Sequence, residues 1–251
     1  KNSSDLGTVY FPISLIILML LTWDKGLLGN NIKYLGALGT LIMGYGDGFA
    51  AIIGTKFGKR KYKILANEKS LEGSVGMFCF SFFVSGVVLG YFQGLSLYSL
   101  RVSFVIAVIA SLAEAITPLG LDNLTVPILS TLFSYYLIYV VKDSPLFLFI
   151  YMASIGFSIS CFIAYEAYVK RSLTLDGSIG ATLLGTIMHA TSGLFGSFIM
   201  MLFFVSASIL SHFKKGKKKR AALQFDKTGR RDILQVFANG GVGLVYSILY
   251  Y

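Results

Sequence analysis

The sequence predicts an all-α, polytopic integral membrane protein with about nine transmembrane helices, within a range of about seven to nine. Apolar residues make up 55% of the 251 residues and charged residues only 14%. The mean hydropathy is +0.72, which is more apolar than a soluble domain of this size can tolerate. Long apolar stretches follow one another along the chain, so the expected solvent of the fold is the lipid bilayer.

Each predicted helix depends on an apolar stretch that is long enough, or nearly long enough, to cross the hydrocarbon core. Several of these stretches are short or rich in glycine. The connection at Thr191 and Ser192 is so tight that the two stretches flanking it also fit one re-entrant hairpin. The predicted spans are 9–23, 34–54, 75–98, 102–118, 124–141, 146–169, 177–190, 193–212 and 233–251.

Lysine and arginine fall almost entirely in loops on one side of the predicted membrane. If the basic segment 56–69 is cytoplasmic, alternation of the spans puts all but four of the 22 Lys and Arg on that side. This positive-inside bias predicts a multi-pass protein with its active site on the cytoplasmic face. It also explains the net charge of +10 without a nucleic-acid partner. The four exceptions are Lys25, Lys33, Arg101 and Lys142.

The motifs change character near residue 150, which predicts two modules, over residues 1–150 and 151–251. GD, KSLEG and GLDN precede the boundary, whereas GSIGATLLGT, GRRD and QVFANGG follow it. The chain begins at Lys1 without a methionine and without the pattern of a signal peptide. We therefore expect it to be a piece of a longer protein.

A carboxylate in the second predicted span is the strongest single indication of a functional site. Asp47 lies in GYGDGFAAIIGTKFGKRK, and a charge there is costly unless it faces water, a cation or a polar partner. The surrounding glycines would let a phosphate approach the backbone closely, but they also fit glycine-mediated helix packing beside a positive-inside anchor. The residues that could form a phosphate cradle are Gly46, Gly48, Gly54, Lys56, Gly58, Lys59 and Arg60.

Two later segments return polar side chains to the same predicted face of the membrane. Lys69 and Glu72 begin the next span three residues apart, and hence lie on one helical face if that turn is helical. Glu72 also fits a first-turn carboxylate behind Ser70 as the helix N-cap. The other oxygen-bearing side chains on this face are Glu114, Asp122 and Asn123.

Oxygen ligands beside a basic loop predict a site for Mg²⁺ and a nucleotide. Mg²⁺ typically takes one or two carboxylates plus substrate phosphates, so Asp47, Glu114 and Asp122 are the candidate metal ligands and catalytic residues. Phosphoryl transfer then needs positioning, charge neutralisation and a carboxylate that receives a proton from an attacking alcohol. Because the site opens at membrane depth, we expect a membrane lipid alcohol as the substrate. An ion-coupled transporter is the alternative, since Asp47 and Glu114 are intramembrane carboxylates.

The first module resembles the C-terminal portion of the CTP-dependent polyprenol kinase family, which includes dolichol kinase, phytol kinase and a CTP-using diacylglycerol kinase. GDGFAAIIGTKFGKRKYKI, KSLEGS and EAITPLGLDNLTVP carry the resemblance, over roughly residues 7–142. It implies transfer of the γ-phosphate of CTP to a lipid alcohol of the phytol, polyprenol or dolichol type. Cytidylyl transfer to a CDP-lipid is an alternative within the same chemistry. The matching residues, to which the resemblance assigns nucleotide and metal binding, are Asp47, Lys56, Lys59, Lys69, Glu72, Glu114, Asp122 and Asn123.

The second module resembles the phytyl phosphate kinase type of membrane protein over roughly residues 155–251. AYEAYVKRSLTLDGSIGATLLGTI, MMLFFVSASILSHF and GRRDILQVFANGG carry this resemblance, which implies a second phosphorylation to a prenyl diphosphate. From the residues alone, a polar stripe on the last span and neighbouring charges form one set on the cytoplasmic side. That set equally fits an interhelical hydrogen-bonding seam. Its members are Asp176, Arg230, Arg231, Asp232, Gln235 and Asn239.

Overall fold

The computed structural model of the chain describes residues 6–23, 26–29, 32–64, 67–118, 120–212 and 230–251. The chain divides into two compact units, Lys1–Phe147 and Leu148–Tyr251. The predicted boundary at residue 150 lies close to this division. Each unit is described separately below.

The first unit is built from helices and one short hairpin. Its helices pack through small residues and aromatic rings: Thr131 donates to the main-chain oxygen of Leu35 at 3.0 Å, and the rings of Phe49 and Phe80 stack with centroids 3.8 Å apart. The elements are α1 Gly7–Thr22, α2 Lys33–Leu41, α3 Gly48–Phe57, β1 Lys61–Ile64, β2 Asn67–Ser70, α4 Leu71–Gln93, α5 Leu97–Ile116 and α6 Asp122–Tyr135.

α2 and α3 form one continuous span, Lys33–Phe57, which is interrupted by a π-helical turn over Ile42–Asp47. A π-helical turn inserts extra backbone into an α-helix and rotates the residues that follow it. Asp47 is the last residue of this turn, so the irregularity sets the direction of its side chain. Such turns occur frequently at functional sites.

β1 and β2 form a short hairpin that connects α3 to α4. The strands pair antiparallel, with Tyr62 opposite Lys69 and Lys63 opposite Glu68. α4 begins directly after the hairpin, where the Ser70 hydroxyl accepts from the main-chain N–H of Gly73 at 3.1 Å. This side-chain cap satisfies one of the N–H groups that a helix start leaves unpaired.

The second unit contains α7 Pro145–Val169, most of which lies within it, α8 Leu175–His212 and α9 Ile233–Tyr250. α8 departs from helical geometry at Gly193, whose φ of 62° and ψ of −154° are accessible mainly to glycine. Nδ1 of His189 and Oγ of Ser197 lie 2.9 Å apart across this point, whereas a straight helix would separate the two residues by about 12 Å. The helix therefore folds back on itself at Gly193.

A second contact supports the reversal of α8. Leu184 and Phe204 pack in one apolar cluster with Val236 of α9, although a straight helix would place them about 30 Å apart. Just before α8 and α9 begin, Leu173 and Arg231 pair in an isolated β-bridge. Both ends of α8 therefore lie on the same side of the membrane as the start of α9. This is the arrangement expected from the tight connection at Thr191 and Ser192.

Seven of the described helices are long and apolar enough to cross a membrane, which lies at the lower end of the predicted range. The estimate of nine differs because α1 is a shorter apolar helix, Gly7–Thr22, and because α8, although it folds back at Gly193, is counted as one apolar helix over Leu175–Ser206. Many large apolar side chains lie on the outside of the helices, where lipid solvates them. The fold is an all-α, polytopic membrane protein.

Candidate active site

The ends of four helices and the hairpin enclose a cavity of about 500 Å³ in the first unit. α3 ends beside it, α4 and α6 begin beside it, and Glu114 contributes the end of α5. Four residues predicted from separate segments, namely Asp47, Lys69, Glu114 and Asp122, meet in this cavity. Its lining consists of Asp47, Ala50, Ala51, Gly54, Thr55, Gly58, Lys61, Glu68, Lys69, Ser70, Gly73, Ser74, Glu114 and Asp122.

Lys69 lies between two of the carboxylates. Its Nζ is 2.5 Å from Oε1 of Glu114 and 3.6 Å from Oδ2 of Asp122, and it also donates to the main-chain oxygen of Glu114. The exposed fractions of the three side chains are 16% for Lys69, 9% for Glu114 and 14% for Asp122. This is therefore a buried ion-pair network, which is screened less by solvent than a surface pair.

The cavity carries more negative than positive charge at its centre. Asp47 interacts electrostatically with Asp122, Glu114 and Lys69, so one ammonium faces three carboxylates. Oε2 of Glu114 is buried and has no hydrogen-bond partner among the described residues. A buried carboxylate oxygen without a partner is costly, and a bound cation would relieve that cost.

The carboxylates fit Mg²⁺ only with help from another ligand. Within the described ranges, no three His, Cys, Asp or Glu side chains form a cluster that could hold a metal ion. Mg²⁺ is ordinarily bound by one or two carboxylates together with substrate phosphates and water. Glu114 and Asp122, with Asp47 nearby, supply oxygen donors of that kind, so the residues fit a magnesium–nucleotide complex better than a bare metal ion.

Helical spacing on α3 explains which predicted residues reach the cavity. Asp47, Ala51, Gly54 and Gly58 recur at intervals of three or four residues, and all four line the cavity. Gly48 falls outside this face, and it does not line the cavity. A side chain at Gly46 would instead meet Met77 and Ser81 of α4, so Gly46 is a helix-packing residue.

Gly54 and Gly58 serve both the cavity and the packing around it. An added Cβ at Gly54 would lie 3.1 Å from the Ser70 hydroxyl, and one at Gly73 would lie 3.2 Å from the main-chain oxygen of Ala50. A Cβ at Gly58 would lie 2.7 Å from the Ser70 hydroxyl. The absence of side chains lets α3 and α4 approach closely beside the site.

Glu72 has a different partner from the one predicted. Its carboxylate accepts the main-chain N–H groups of Lys59 and Arg60 at 3.2 Å each. The condition under which Lys69 and Glu72 would share one helical face is not met, because Lys69 belongs to β2 and α4 begins only after Ser70. The alternative interpretation holds: Ser70 is the N-cap and Glu72 lies in the first turn of α4. Glu72 anchors the segment between α3 and β1, and Lys69 reaches across to Glu114.

The basic side chains after α3 lie around the cavity rather than in its centre. Lys56, Lys59 and Arg60 are exposed and do not line the cavity, and the Lys56 ammonium lies 5.5 Å from the ring centre of Phe57. Lys61 does line it and pairs with Glu68 at 2.9 Å. The hydrogen bond from Lys61 lowers the pKa of the Glu68 carboxyl, and the same bond raises the pKa of Lys61.

Asn123 stabilises the turn that positions Asp122. Its Nδ2 donates to the main-chain oxygen of Gly120 at 3.1 Å, and Gly120 has a φ of 78°, a left-handed conformation that favours glycine. Asn123 does not line the cavity. In this structure it supports the site from behind Asp122.

Polar residues that the motifs did not single out also line the cavity. Thr55, Ser70 and Ser74 face it, and Oη of Tyr62 lies 2.5 Å from Oγ of Ser74. Ser74 lies four residues after Ser70, the N-cap of α4, one turn into the helix. A hydroxyl in the first turn after the predicted cap at Ser70 is the signal in the sequence that could have found Ser74, whereas the approach of Tyr62 depends on the hairpin.

The polar set of the second unit is engaged mainly in joining the starts of α8 and α9. Oδ2 of Asp176 accepts the main-chain N–H of Ile233 at 3.1 Å, and Oδ1 of Asp232 accepts that of Gln235 at 2.8 Å. The main-chain oxygen of Arg231 accepts from the N–H of Thr174 at 3.0 Å. Arg230 is partly buried, and Asn239 is exposed. These contacts favour the structural interpretation of Asp176 and Asp232.

The role of Asp232 can be tested by exchanging one helix cap for another. We expect Asp232→Ala to destabilise the second unit by about 1 kcal/mol, since it removes the N-cap of α9. Asp232→Ser retains a capping oxygen and should unfold at nearly the wild-type temperature. Thermal unfolding of the purified protein in detergent measures both. A serine variant as unstable as the alanine variant would contradict the capping role.

Comparison with known proteins finds one family model and several related proteins. Residues 158–251 match a family model described as integral membrane protein DUF92. The chain is 33% identical to a phytol kinase of Synechocystis sp. over 129 residues, which is 51% of this chain and 53% of that protein. It is 31% identical to a probable chloroplastic phytol kinase of Triticum aestivum over 139 residues, 52% of this chain and 44% of that protein.

A further relative is Protein PGR of Arabidopsis thaliana, which is 34% identical over 91 residues, 36% of this chain and 31% of that protein. No solved structure matches the chain at a comparable level. The chain spans about half the length of the phytol kinases that it matches. These matches confirm the resemblance to phytol kinases: the chain is a multi-pass integral membrane protein that is similar to phytol kinases over about half its length, with a DUF92 match over residues 158–251.

Proposed function

We propose that this chain phosphorylates a membrane lipid alcohol of the phytol, polyprenol or dolichol type with CTP as the donor. The observation that carries the proposal is the cavity in which Asp47, Glu114 and Asp122 face the Lys69 ammonium. Such a site can hold a magnesium–nucleotide complex at the membrane surface. The phytol kinases to which the chain is similar support a lipid alcohol as the acceptor.

The three carboxylates have different chemical roles in this proposal. Glu114 and Asp122 lie at helix ends beside the hairpin, where they would hold Mg²⁺ together with phosphate oxygens. Bound Mg²⁺ would neutralise charge that develops on the transferred phosphoryl group. Asp47 lies ten residues before the end of α3 at Phe57, about 15 Å deeper along the helix. Asp47 is therefore the proposed acceptor of the proton from the lipid hydroxyl.

The membrane-facing side of α3 suits lateral entry of a lipid. Phe49 and Ile52 are exposed on it, with exposed fractions of 37% and 56%. On the cavity side, the small and exposed Ala51 lies four residues after Asp47, so an alkyl chain would pass beside it. A lipid hydroxyl could thus reach the carboxylates without leaving the bilayer.

Transfer of radiolabel from CTP tests the proposal. Membranes containing the chain are incubated with Mg²⁺ and with γ-labelled or α-labelled CTP, using phytol, farnesol, dolichol and diacylglycerol as separate acceptors. The proposal predicts label in the lipid from γ-labelled CTP alone. Label from α-labelled CTP would instead indicate cytidylyl transfer, and solute uptake into proteoliposomes without CTP consumption would indicate a transporter.

A second phosphorylation to the diphosphate is the corresponding proposal for residues 151–251. In the structure, Asp176 and Asp232 accept main-chain N–H groups at helix starts, and a second step would need the other residues of the polar set of the second unit. The same assay tests it when lipid monophosphate replaces the alcohol as acceptor. Formation of labelled lipid diphosphate would support the second step.

We further propose that the cavity faces the cytoplasm. Lys63 in the hairpin and Asp143 after α6 are separated by three spans, so they lie on opposite sides of the membrane. In a variant with serine at Cys79 and Cys161, we expect a membrane-impermeant maleimide to label Asp143→Cys in right-side-out vesicles. Lys63→Cys should react only after permeabilisation. The reverse pattern would place the cavity on the outer face.

A further inference from the structure

Lys69 occupies the position in the cavity that a cation would be expected to take. Its ammonium contacts the carboxylate and the main-chain oxygen of Glu114 and lies 3.6 Å from Asp122. Oxygen atoms from two different helices therefore surround one positive charge. A metal ion held by Glu114 and Asp122 would have to occupy much of the same space.

The charge balance shows that the ammonium is an incomplete substitute for a divalent ion. With Asp47 included, three carboxylates face one positive charge, and Oε2 of Glu114, on a side chain that is 9% exposed, has no partner among the described residues. A divalent ion would supply one more positive charge and a ligand for that oxygen. The site is thus partly neutralised by Lys69 and still favours a cation.

The connection of Lys69 to the rest of the fold lets it leave this position. Lys69 lies on β2 of a two-stranded hairpin, whereas Glu114 and Asp122 lie on α5 and α6. The flexible four-carbon stem of lysine allows the ammonium to change partners without unfolding of a helix. Phosphate oxygens entering the same cavity would be suitable new partners.

We propose that Lys69 is a tethered counter-ion that holds the metal position in the absence of nucleotide and moves to the phosphates when the metal–nucleotide complex enters. This inference depends on the metal site of the proposed function and adds that the metal and the nucleotide bind together. A divalent cation alone must displace the ammonium and therefore binds weakly. A cation that arrives with phosphate gives the displaced ammonium a new partner, so metal and nucleotide load together.

Binding of Mn²⁺, as a spectroscopic substitute for Mg²⁺, tests the inference without CTP and without turnover. Electron paramagnetic resonance measures free Mn²⁺ during titration of the purified protein in nanodiscs. We expect Lys69→Gln to bind Mn²⁺ about tenfold more tightly than the wild type, or better, because the competing charge within about 4 Å is gone. Lys63→Gln is the matched control, since it removes an exposed charge from the same hairpin and should bind Mn²⁺ like the wild type.

The same samples give a second measurement. Lys69→Gln leaves the buried carboxylates without their counter-ion, so its unfolding temperature should fall without metal and rise again with millimolar Mn²⁺. Equal Mn²⁺ affinity in wild type and Lys69→Gln would overturn the inference, as would a variant that stays unfolded in millimolar Mn²⁺. Suppose that Lys69→Gln binds Mn²⁺ more tightly but the wild type shows no CTP-dependent phosphorylation. That result would support the counter-ion role and contradict the proposed kinase reaction instead.

Discussion

Asp47→Asn is expected to lower CTP-dependent phosphorylation of the lipid by at least about 100-fold, while the protein remains folded. Asparagine has nearly the same shape as aspartate but cannot accept the proton of the alcohol or contribute negative charge to the cation site. No hydrogen bond to the Asp47 side chain is seen among the described residues, so the substitution breaks no structural contact in them. Label transferred from γ-labelled CTP in membranes measures the activity.

The folded state of the Asp47→Asn variant provides an independent check. Asp47 interacts with the like charges of Asp122 and Glu114, and loss of one charge reduces their mutual repulsion. We therefore expect an unchanged or higher unfolding temperature in detergent. Asp143→Asn, an exposed carboxylate after α6, is the matched control and should keep full activity. Near-wild-type phosphorylation by Asp47→Asn would remove Asp47 from the proposed mechanism.

The meeting of Asp47, Glu114 and Asp122 could be predicted because it depends on topology. Charged residues are rare in apolar spans, and alternation of the spans places the ends of successive helices on known sides of the membrane. Once the three carboxylates share a side, a common polar cavity is the least costly arrangement for them. The pairing of Lys69 with Glu114 could not be predicted in this way, because it depends on the path of the hairpin.

Local backbone irregularities explain most of the differences between prediction and structure. A helical turn over 67–72 fits the spacing of Lys69 and Glu72, but the strand β2 occupies 67–70 because it pairs with β1, a tertiary contact that helical spacing does not reveal. The π-helical turn before α3 likewise has no clear sequence pattern, yet it helps determine that Gly54 faces the cavity and Gly46 faces α4. The sequence left open whether the glycines line a phosphate site or allow close helix packing, and the structure shows both: Gly54 lines the cavity and Gly46 packs against α4.

Lys69→Met is expected to lower the free energy of unfolding of the first unit by about 3 kcal/mol. Removal of one partner from a buried ion pair leaves the other charge buried and uncompensated, and that cost is larger than the net contribution of the pair itself. In Lys69→Met the apolar stem is retained, so the loss is mainly electrostatic. Denaturant unfolding in mixed micelles, without divalent cations, measures the change.

A double variant separates this electrostatic cost from a general loss of packing. If the uncompensated charge of Glu114 causes the instability, Lys69→Met combined with Glu114→Gln should recover most of the lost free energy of unfolding, although each single change is destabilising. Lys61→Met tests the exposed pair with Glu68 and should alter stability little, because solvent screens that pair. Additive losses in the double variant would mean that Lys69 and Glu114 do not depend on one another. Recovery would show that the carboxylates of this cavity require a positive charge among them even without a ligand. A metal–nucleotide complex can replace the ammonium because it supplies such a charge.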